Sequence, residues 1–270
     1  MTVPDAPAAP AIRPARGGRR PALGLVGLLI AALGYEVGAR LLFTPEQVPP
    51  LSAIIPEAGR LSVGAKFWTA TGQTLTAVAV GLAIALAAGI TAGFALGSVS
   101  WVRRATSSTL DFLRPVPSIV LIPVLVLVLD VREITVLLVA VSCFWIVVFQ
   151  VLYGLRDVDQ VAVDTARTFR LGRLARIAHV TWPTVLPYLG TALRLNVSIA
   201  LALALTGGLV TGSAGLGELI WSSQAGGEFA DMYALVLLTG GIGILLDRLA
   251  RLIERRLLYW HVATRREAAA

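Results

Sequence analysis

The sequence predicts an all-α integral membrane protein with six transmembrane helices, a five-helix core and a peripheral N-terminal helix. Three observations carry this. Of the 270 residues, 56% are hydrophobic and only 14% are charged, which is too apolar and too charge-poor for a soluble domain of this size. Apolar runs near the roughly 20 residues needed to cross a bilayer recur along the chain. The basic residues fall between those runs, mostly on one side.

Residues 1–21 are rich in Ala, Pro and Arg. They hold too few large apolar residues to build a core and are expected to form a disordered cytoplasmic tail. The first span covers about 22–43. Arg19 and Arg20 before it would also suit a signal peptide, but five further spans favour a membrane helix. Segment 44–69 contains Pro45, Pro49, Pro50 and Pro56 and is expected to be an outer loop with at most short helices. It sets residues 22–64 apart from a core of 65–260.

Within the core, the second span (70–98) carries Gly89, Gly93 and Gly97, one turn apart, with Ala85 a turn earlier. Small residues four apart share one helix face and let backbones approach closely, so these glycines are expected to pack against a neighbouring helix. The third span (115–130) is crowded by Pro115, Pro117 and Pro123, which a membrane helix tolerates when neighbours satisfy the freed carbonyls. The fourth covers 134–154. The fifth (187–211) has a ladder of Ala192, Asn196, Ala200, Ala204, Gly208 and Gly212. That ladder suits helix packing. It also suits a translocation path, with Ser118, Asn196, Ser198 and Thr206 supplying polar groups. The sixth covers 231–250, and 261–270 is a cytoplasmic tail.

Orientation follows from Arg and Lys in the loops. With the N-terminus in the cytoplasm, eighteen basic residues lie inside, Arg156, Arg167, Arg170, Arg173 and Arg176 among them. Four lie outside: Arg40, Arg60, Lys66 and Arg132. Both termini and the 156–186 segment are therefore expected to be cytoplasmic. The net charge of +7 is a topology signal rather than a nucleic-acid footprint.

Several chemistries are missing. The one lysine, Lys66, is followed by Phe67, so no phosphate-binding Gly-Lys-Ser/Thr loop exists. His179 and His261 fit no metal-ligand spacing, and no metal site is expected. The lone Cys143 allows no internal disulfide. No Gly-x-Ser-x-Gly nucleophile elbow is present. Glu36 is the only acidic residue well inside an apolar run, which argues against a proton relay. No catalytic residues and no cofactor are expected.

Between the fourth and fifth spans lies a basic amphipathic island. From Val158 to Arg176 it reads as two short helices, with Val161, Thr165 and Thr168 or Phe169 on one face. Gly172 is expected to break them apart, and Trp182, Pro183 and Pro187 to end the segment at the membrane surface. The island is longer than a mere reversal needs, and a soluble partner there would grip two spans at once.

Asp164-Thr165-Ala166, then Val180, Trp182 and Pro183, then Leu186-Pro187, resemble the "EAA" cytoplasmic loop of permease subunits of ATP-binding-cassette importers. Arg170 stands where that pattern has glycine, with Gly172 two residues later. Leu113-Arg114-Pro115-Val116-Pro117-Ser118 and the Gly215–Ile220 and Asp247–Arg256 segments resemble permeases for taurine, aliphatic sulfonates and nitrate. Those permeases often carry an acidic residue late in the fifth span, where this chain has Gly207 and Gly208. The resemblance covers roughly 65 to 260. It implies a type I importer permease fold acting as a dimer in the plasma membrane of a prokaryote: two cytoplasmic ATPase subunits hold ATP and Mg, and an extracytoplasmic binding protein delivers the solute. It implies that Asp164, Thr165, Ala166, Arg167, Arg170, Gly172, Arg173 and Pro183 form the ATPase-coupling element. The implied solute is an organosulfonate, taurine, nitrate or a related small anion, with a vitamin precursor or a secondary transporter as alternatives.

Overall fold

The computed structural model describes residues 20–98, 112 and 117–258. All regular structure among them is helical. The helices are α1 (Arg20–Leu42), α2 (Leu51–Ser62), α3 (Ala65–Ser98), α4 (Ile122–Leu125), α5 (Val131–Arg156), α6 (Gln160–Thr168), α7 (Arg173–Arg176), α8 (Trp182–Thr211), α9 (Leu216–Ala225) and α10 (Phe229–Leu257). A 3-10 turn at Ser118–Leu121 precedes α4, and a π-turn at Ile177–Thr181 joins α7 to α8. Most of the expected N-terminal tail, the C-terminal tail, Leu113 to Val116, Arg103, Arg104 and His261 lie outside the described residues.

The chain divides into two compact units, Met1–Ala53 and Ile54–Ala270. In the first, α1 is apolar and exposed along most of its length. Its one acidic residue, Glu36, is fully engaged. It accepts from Arg40 Nε at 2.7 Å, from Ser52 Oγ at 2.9 Å and from the Ser52 amide at 3.2 Å.

In the second unit, α2 forms inside the proline-rich segment. Pro56 is tolerated within it, and Ile54 and Ala58 are buried. Arg60 fixes α2 to the start of α10, donating to both Asp231 carboxylate oxygens at 2.6 and 2.8 Å and to Glu57 at 2.5 Å. Asp231 and then Glu57 raise the guanidinium's pKa above its usual value.

The bundle is organised by glycine. A Cβ on Gly81 would stand 2.6 Å from Val139, and one on Gly89 or Gly93 would stand 2.7 Å from Val147 or Val151. Gly97 meets Leu155 more closely still. The offset is the same at each step, so α3 and α5 run parallel in close contact. Gly154 on α5 meets Val185, and Gly207 on α8 meets Thr135, so α8 runs antiparallel to α5. Gly190 meets Glu254 and Gly243 meets Leu201, so α10 is antiparallel to α8. One end of the bundle, the island end, therefore carries residues 98, 156, 182 and 257. The far end carries 65, 131, 211 and 229.

Five helices are long and apolar enough to cross a membrane among the described residues, not six. The third expected span is missing as a continuous helix. Pro117 precedes the 3-10 turn, α4 is one turn long with Pro123 near its start, and turns follow to residue 129. Each proline removes a donor and clashes with the carbonyl four residues back, which keeps the helix from growing. The segment still runs along α5. Ser118 hydrogen-bonds Ser142, and Ile122 packs with Ile134 and Leu138. It thus descends antiparallel to α5 and reaches the far end, where Asp130 caps α5 in a capping box with Glu133.

The small-residue ladder of α8 faces inward. Ala192, Asn196, Ala200, Ala204 and Gly208 are all buried. Ala200 and Ala204 pack with Val78, Leu82, Ala85, Val139 and Cys143 at the centre. Lipid chains are as apolar as leucine, so membrane helices gain by close contact rather than by leaving water. Small residues maximise that contact.

Candidate functional site

The island begins at Asp159, whose side chain accepts from the Val161 amide at 2.8 Å and caps α6. Asp164 and Arg167 pair at 3.0 Å on the exposed surface of α6. Thr165 Oγ1 donates to Val161 O at 2.8 Å and Thr168 Oγ1 to Asp164 O at 3.1 Å, so both hydroxyls are spent on their own helix. Ala166 is only 4% exposed. It faces the chain's own interior, whereas the expectation had it open to a partner beside Thr165.

The turn after α6 is made at Arg170. Its amide donates to Arg167 O at 2.8 Å and the Leu171 amide to Ala166 O at 2.9 Å. This pair of bonds is a Schellman cap, which needs a left-handed residue after the helix. Arg170 supplies it with φ 55°, the one non-glycine residue at positive φ among those described. Gly172 lies in the break between α6 and α7, where the sequence suggests it, but the left-handed residue there is Arg170. Gly172 has φ −61° and precedes α7 as its N-cap.

Arg173 opens α7, and the helical path continues from there through the π-turn into α8. Trp182 donates back five residues to Ile177 O. Trp182, Pro183 and Pro187 therefore do not end the segment. Pro183 lies in the first turn of α8, and the π-turn takes up the extra residue just before it. Such turns recur at functional sites. Trp182 stacks on Phe94 of α3 at 6.1 Å, which anchors the island to the bundle. Arg173 and Arg176 line a groove of about 510 Å³ together with Phe94, Leu155 and Val180.

Three large apolar side chains are the most exposed of those on the island. Val161 is 71% exposed, Phe169 76% and Leu174 83%. Val161, Thr165 and Phe169 stand four apart and share a face of α6.

A cavity of about 560 Å³ lies on the other side of α5. Ser118, Ser142, Trp145, Gln150, Tyr153 and Ile199 are among its lining, and no charged side chain is among the described residues there. Of the four expected path residues, the structure places only Ser118 there. Asn196 is fully buried between α5 and α8, where its amide donates to Cys143 O at 3.3 Å. It is a tie between helices. Ser198 is exposed away from the cavity, and Thr206 Oγ1 donates to Ala202 O at 2.9 Å on its own helix. The sequence reading missed Ser142, Trp145, Gln150 and Tyr153. Their spacings of three, five and three residues keep them on one side of a largely apolar helix, which was the available signal.

One basic residue, Arg194, lies inside the fifth span. It faces Glu254 of α10 at 3.9 Å. Asp247 likewise pairs with Arg251.

The family described as "Binding-protein-dependent transport system inner membrane component" matches residues 85–259. The chain is 27% identical over 248 residues to a taurine transport system permease protein of Escherichia coli, covering 88% of this chain and 89% of that one. It is 26% identical over 249 residues to a bicarbonate transport system permease protein of Synechococcus elongatus, covering 88% of each. Against a nitrate import permease protein of Leptolyngbya laminosa it is 25% identical, over 71% of this chain and 69% of that one. Among solved structures, an inward-facing MetNI methionine ABC transporter chain aligns with a TM-score of 0.63 at 17% identity, over 71% of this chain and 96% of that chain. A chain of a bacterial ABC transporter that imports alginate aligns at 0.61 and 13%, over 89% and 94%. These two likenesses concern the fold. The family match spans more than half of the chain, which therefore belongs to the inner-membrane components of binding-protein-dependent transport systems and is a transport subunit rather than an enzyme.

Proposed function

We propose that this chain is the membrane permease of an ATP-driven importer for a small solute, and that the island is where a cytoplasmic ATPase docks. The observation that carries the docking is the uncovered set of Val161, Phe169 and Leu174 in a segment otherwise rich in arginine. Large apolar side chains left in water at this density mark an interaction surface. Arg167, Arg170 and Arg173 on the same exposed stretch would meet acidic groups of the partner. Because α7, the π-turn and α8 form one helical path, movement of the island passes directly into the fifth span.

The sidedness follows from the eighteen-to-four basic asymmetry. Parallel packing of α3 and α5 supports a return of the chain to the far end before residue 131. On that count of basic residues, both termini would share the cytoplasmic side with the island. The cavity at Ser118, Ser142 and Gln150 would be this chain's half of the path, completed by a second permease copy. Its hydroxyl, amide and aromatic lining suits a solute held weakly, with affinity residing in an extracytoplasmic binding protein. The similarity to taurine, bicarbonate and nitrate permeases supports a small anion or zwitterion. ATP and Mg would be held by the ATPase alone. A secondary transporter is disfavoured because the span carboxylates Glu36, Asp247 and Glu254 are each engaged by arginine.

The test is reconstitution of the chain with candidate ATPase and binding-protein subunits from the same source. Turnover of ATP should appear only with the ATPase present, and solute-loaded binding protein should stimulate it only when this chain is also present. In a Cys143→Ser background, a cysteine at position 225 should react with an impermeant reagent in intact cells and one at 170 should not. Labelling at 170, or ATP hydrolysis by the chain alone, would overturn the reading.

A further inference from the structure

At the far end of the bundle, a small polar chamber lies beneath the turn from α8 to α9. It has a volume of about 100 Å³ and is lined by Gln73, Thr74, Arg132, Thr135 and Ser213, among others. The turn is pressed onto the bundle. Gly217 lies against Leu205 O, Gly208 against the Gly217 Cα, and the Leu216 amide donates to Thr74 Oγ1 at 2.9 Å. Gly215 has φ 153°, and a Cβ there would stand 2.6 Å from Thr74 Oγ1.

Thr135 is the unusual member. It is 3% exposed, and its hydroxyl has no hydrogen-bond partner among the described residues; Thr71 shares that state but does not line the chamber. Helix threonines normally spend this group on the carbonyl four residues back. Thr76, Thr91, Thr184, Thr206 and Thr211 all do so here. Thr135 presents its hydroxyl to the chamber instead, and Gly207 leaves the room: a Cβ there would stand 3.0 Å from Oγ1. A buried hydroxyl without a partner is costly, so a bound group is called for.

The chemistry of the lining selects that group. Arg132 brings a full positive charge and five N–H donors. Gln73, Ser213 and Thr135 bring an amide and two hydroxyls. Among the described residues no carboxylate lines the chamber, and Glu133 is occupied in the α5 capping box with Asp130. A cation would meet the arginine. The volume equals that of about three water molecules, which is the size of a triatomic or tetratomic oxyanion.

We propose that this chamber binds a small monovalent anion, with Arg132 pairing its charge and Thr135 Oγ1 donating to it. The bound anion would also pin the Gly212–Gly217 turn against α3 and α5. The site stands apart from the 560 Å³ cavity and does not depend on which solute the chain carries.

Sodium nitrate is the probe, against sodium gluconate at equal ionic strength, with the full-length chain in detergent. Nitrate should raise the thermal unfolding midpoint in a saturable way, as any ligand selective for the folded state does. Arg132→Gln and Thr135→Val should each weaken the apparent nitrate affinity roughly tenfold or more. Thr135→Ser keeps the donor and should retain it, as should Arg60→Gln, which removes an arginine outside the chamber. Should Arg132→Gln fail to fold, the Thr135→Val and Thr135→Ser pair decides alone. A chamber that holds only water would show no saturable nitrate effect in the parent chain. That result, or an equal effect in Thr135→Val, overturns the proposal and leaves the transport reading untouched.

Discussion

The seam between α3 and α5 and the island beyond it treat apolar side chains in opposite ways. Along the seam, Val139, Val147 and Val151 lie so close to Gly81, Gly89 and Gly93 that a single added carbon would collide. On the island, Val161, Phe169 and Leu174 touch little of their own chain. In lipid, covering an apolar group gains only contact, so the seam must fit closely to hold. In water, covering a Phe or Leu is worth about 1.5–3 kcal/mol, so the island can bind a partner without fitting its own bundle. One region is a closely fitted seam, and the other is, on the proposed reading, an uncovered handle.

The seam is the easiest place to break this contrast, and the effect should be the largest. Gly93→Leu forces a side chain into the space of Val151. Overpacking typically costs about 1–3 kcal/mol, and the valine on a neighbouring rigid helix has no room to yield. The variant should lose monodispersity on size-exclusion chromatography. Gly93→Ala should be milder, and adding Val151→Ala should restore it. If Gly93→Leu purifies as well as the parent chain, the seam is not a close contact.

The handle separates two residues one turn apart. Phe169→Glu with Leu174→Glu should leave insertion and monodispersity unchanged while abolishing ATPase copurification, since apolar anchors of this kind contribute about 2 kcal/mol or more each. Ala166→Trp should behave differently. Ala166 is buried within the chain, so tryptophan there should destabilise α6 itself by about 1–3 kcal/mol. Faster local hydrogen exchange across 160–171 in the isolated chain would report it. Unchanged exchange, together with lost docking, would place Ala166 at the partner surface after all.

The fold was largely legible because its signals are local. Apolar length marked α3, α5, α8 and α10, and glycine spacing marked a packing face on α3. The third span was not legible as it stands: composition counts Pro117 and Pro123 as passengers in an apolar run, whereas each removes a donor that a helix needs. The island's existence was legible from its charge, but not the direction of Ala166, because a four-residue stripe does not say which face the bundle takes. Asn196 misled for a related reason. A polar group in a membrane helix reads as a path until its partner, the Cys143 carbonyl, is seen across the interface. The Arg132 and Thr135 chamber joins residues from α3, α5 and the turn after α8, and sequence spacing carries no trace of it.

The smallest expected effect sharpens the handle rather than breaking it. Arg170 holds φ 55° to complete the cap of α6. For a residue with a Cβ, the left-handed region costs about 1–2 kcal/mol, and glycine avoids that. Glycine also loses more freedom on ordering, at a cost of about 0.5–1 kcal/mol. The two terms oppose, and the steric one is larger, so Arg170→Gly should stabilise the turn by up to about 1 kcal/mol. The amides of Arg170 and Leu171, which make the two cap bonds, should exchange several-fold more slowly, while those of α3 and α5 are unaffected. Docking should change little, because the apolar residues that carry it remain. Faster exchange at those two amides would mean that the arginine side chain contributes more to the turn than its backbone costs.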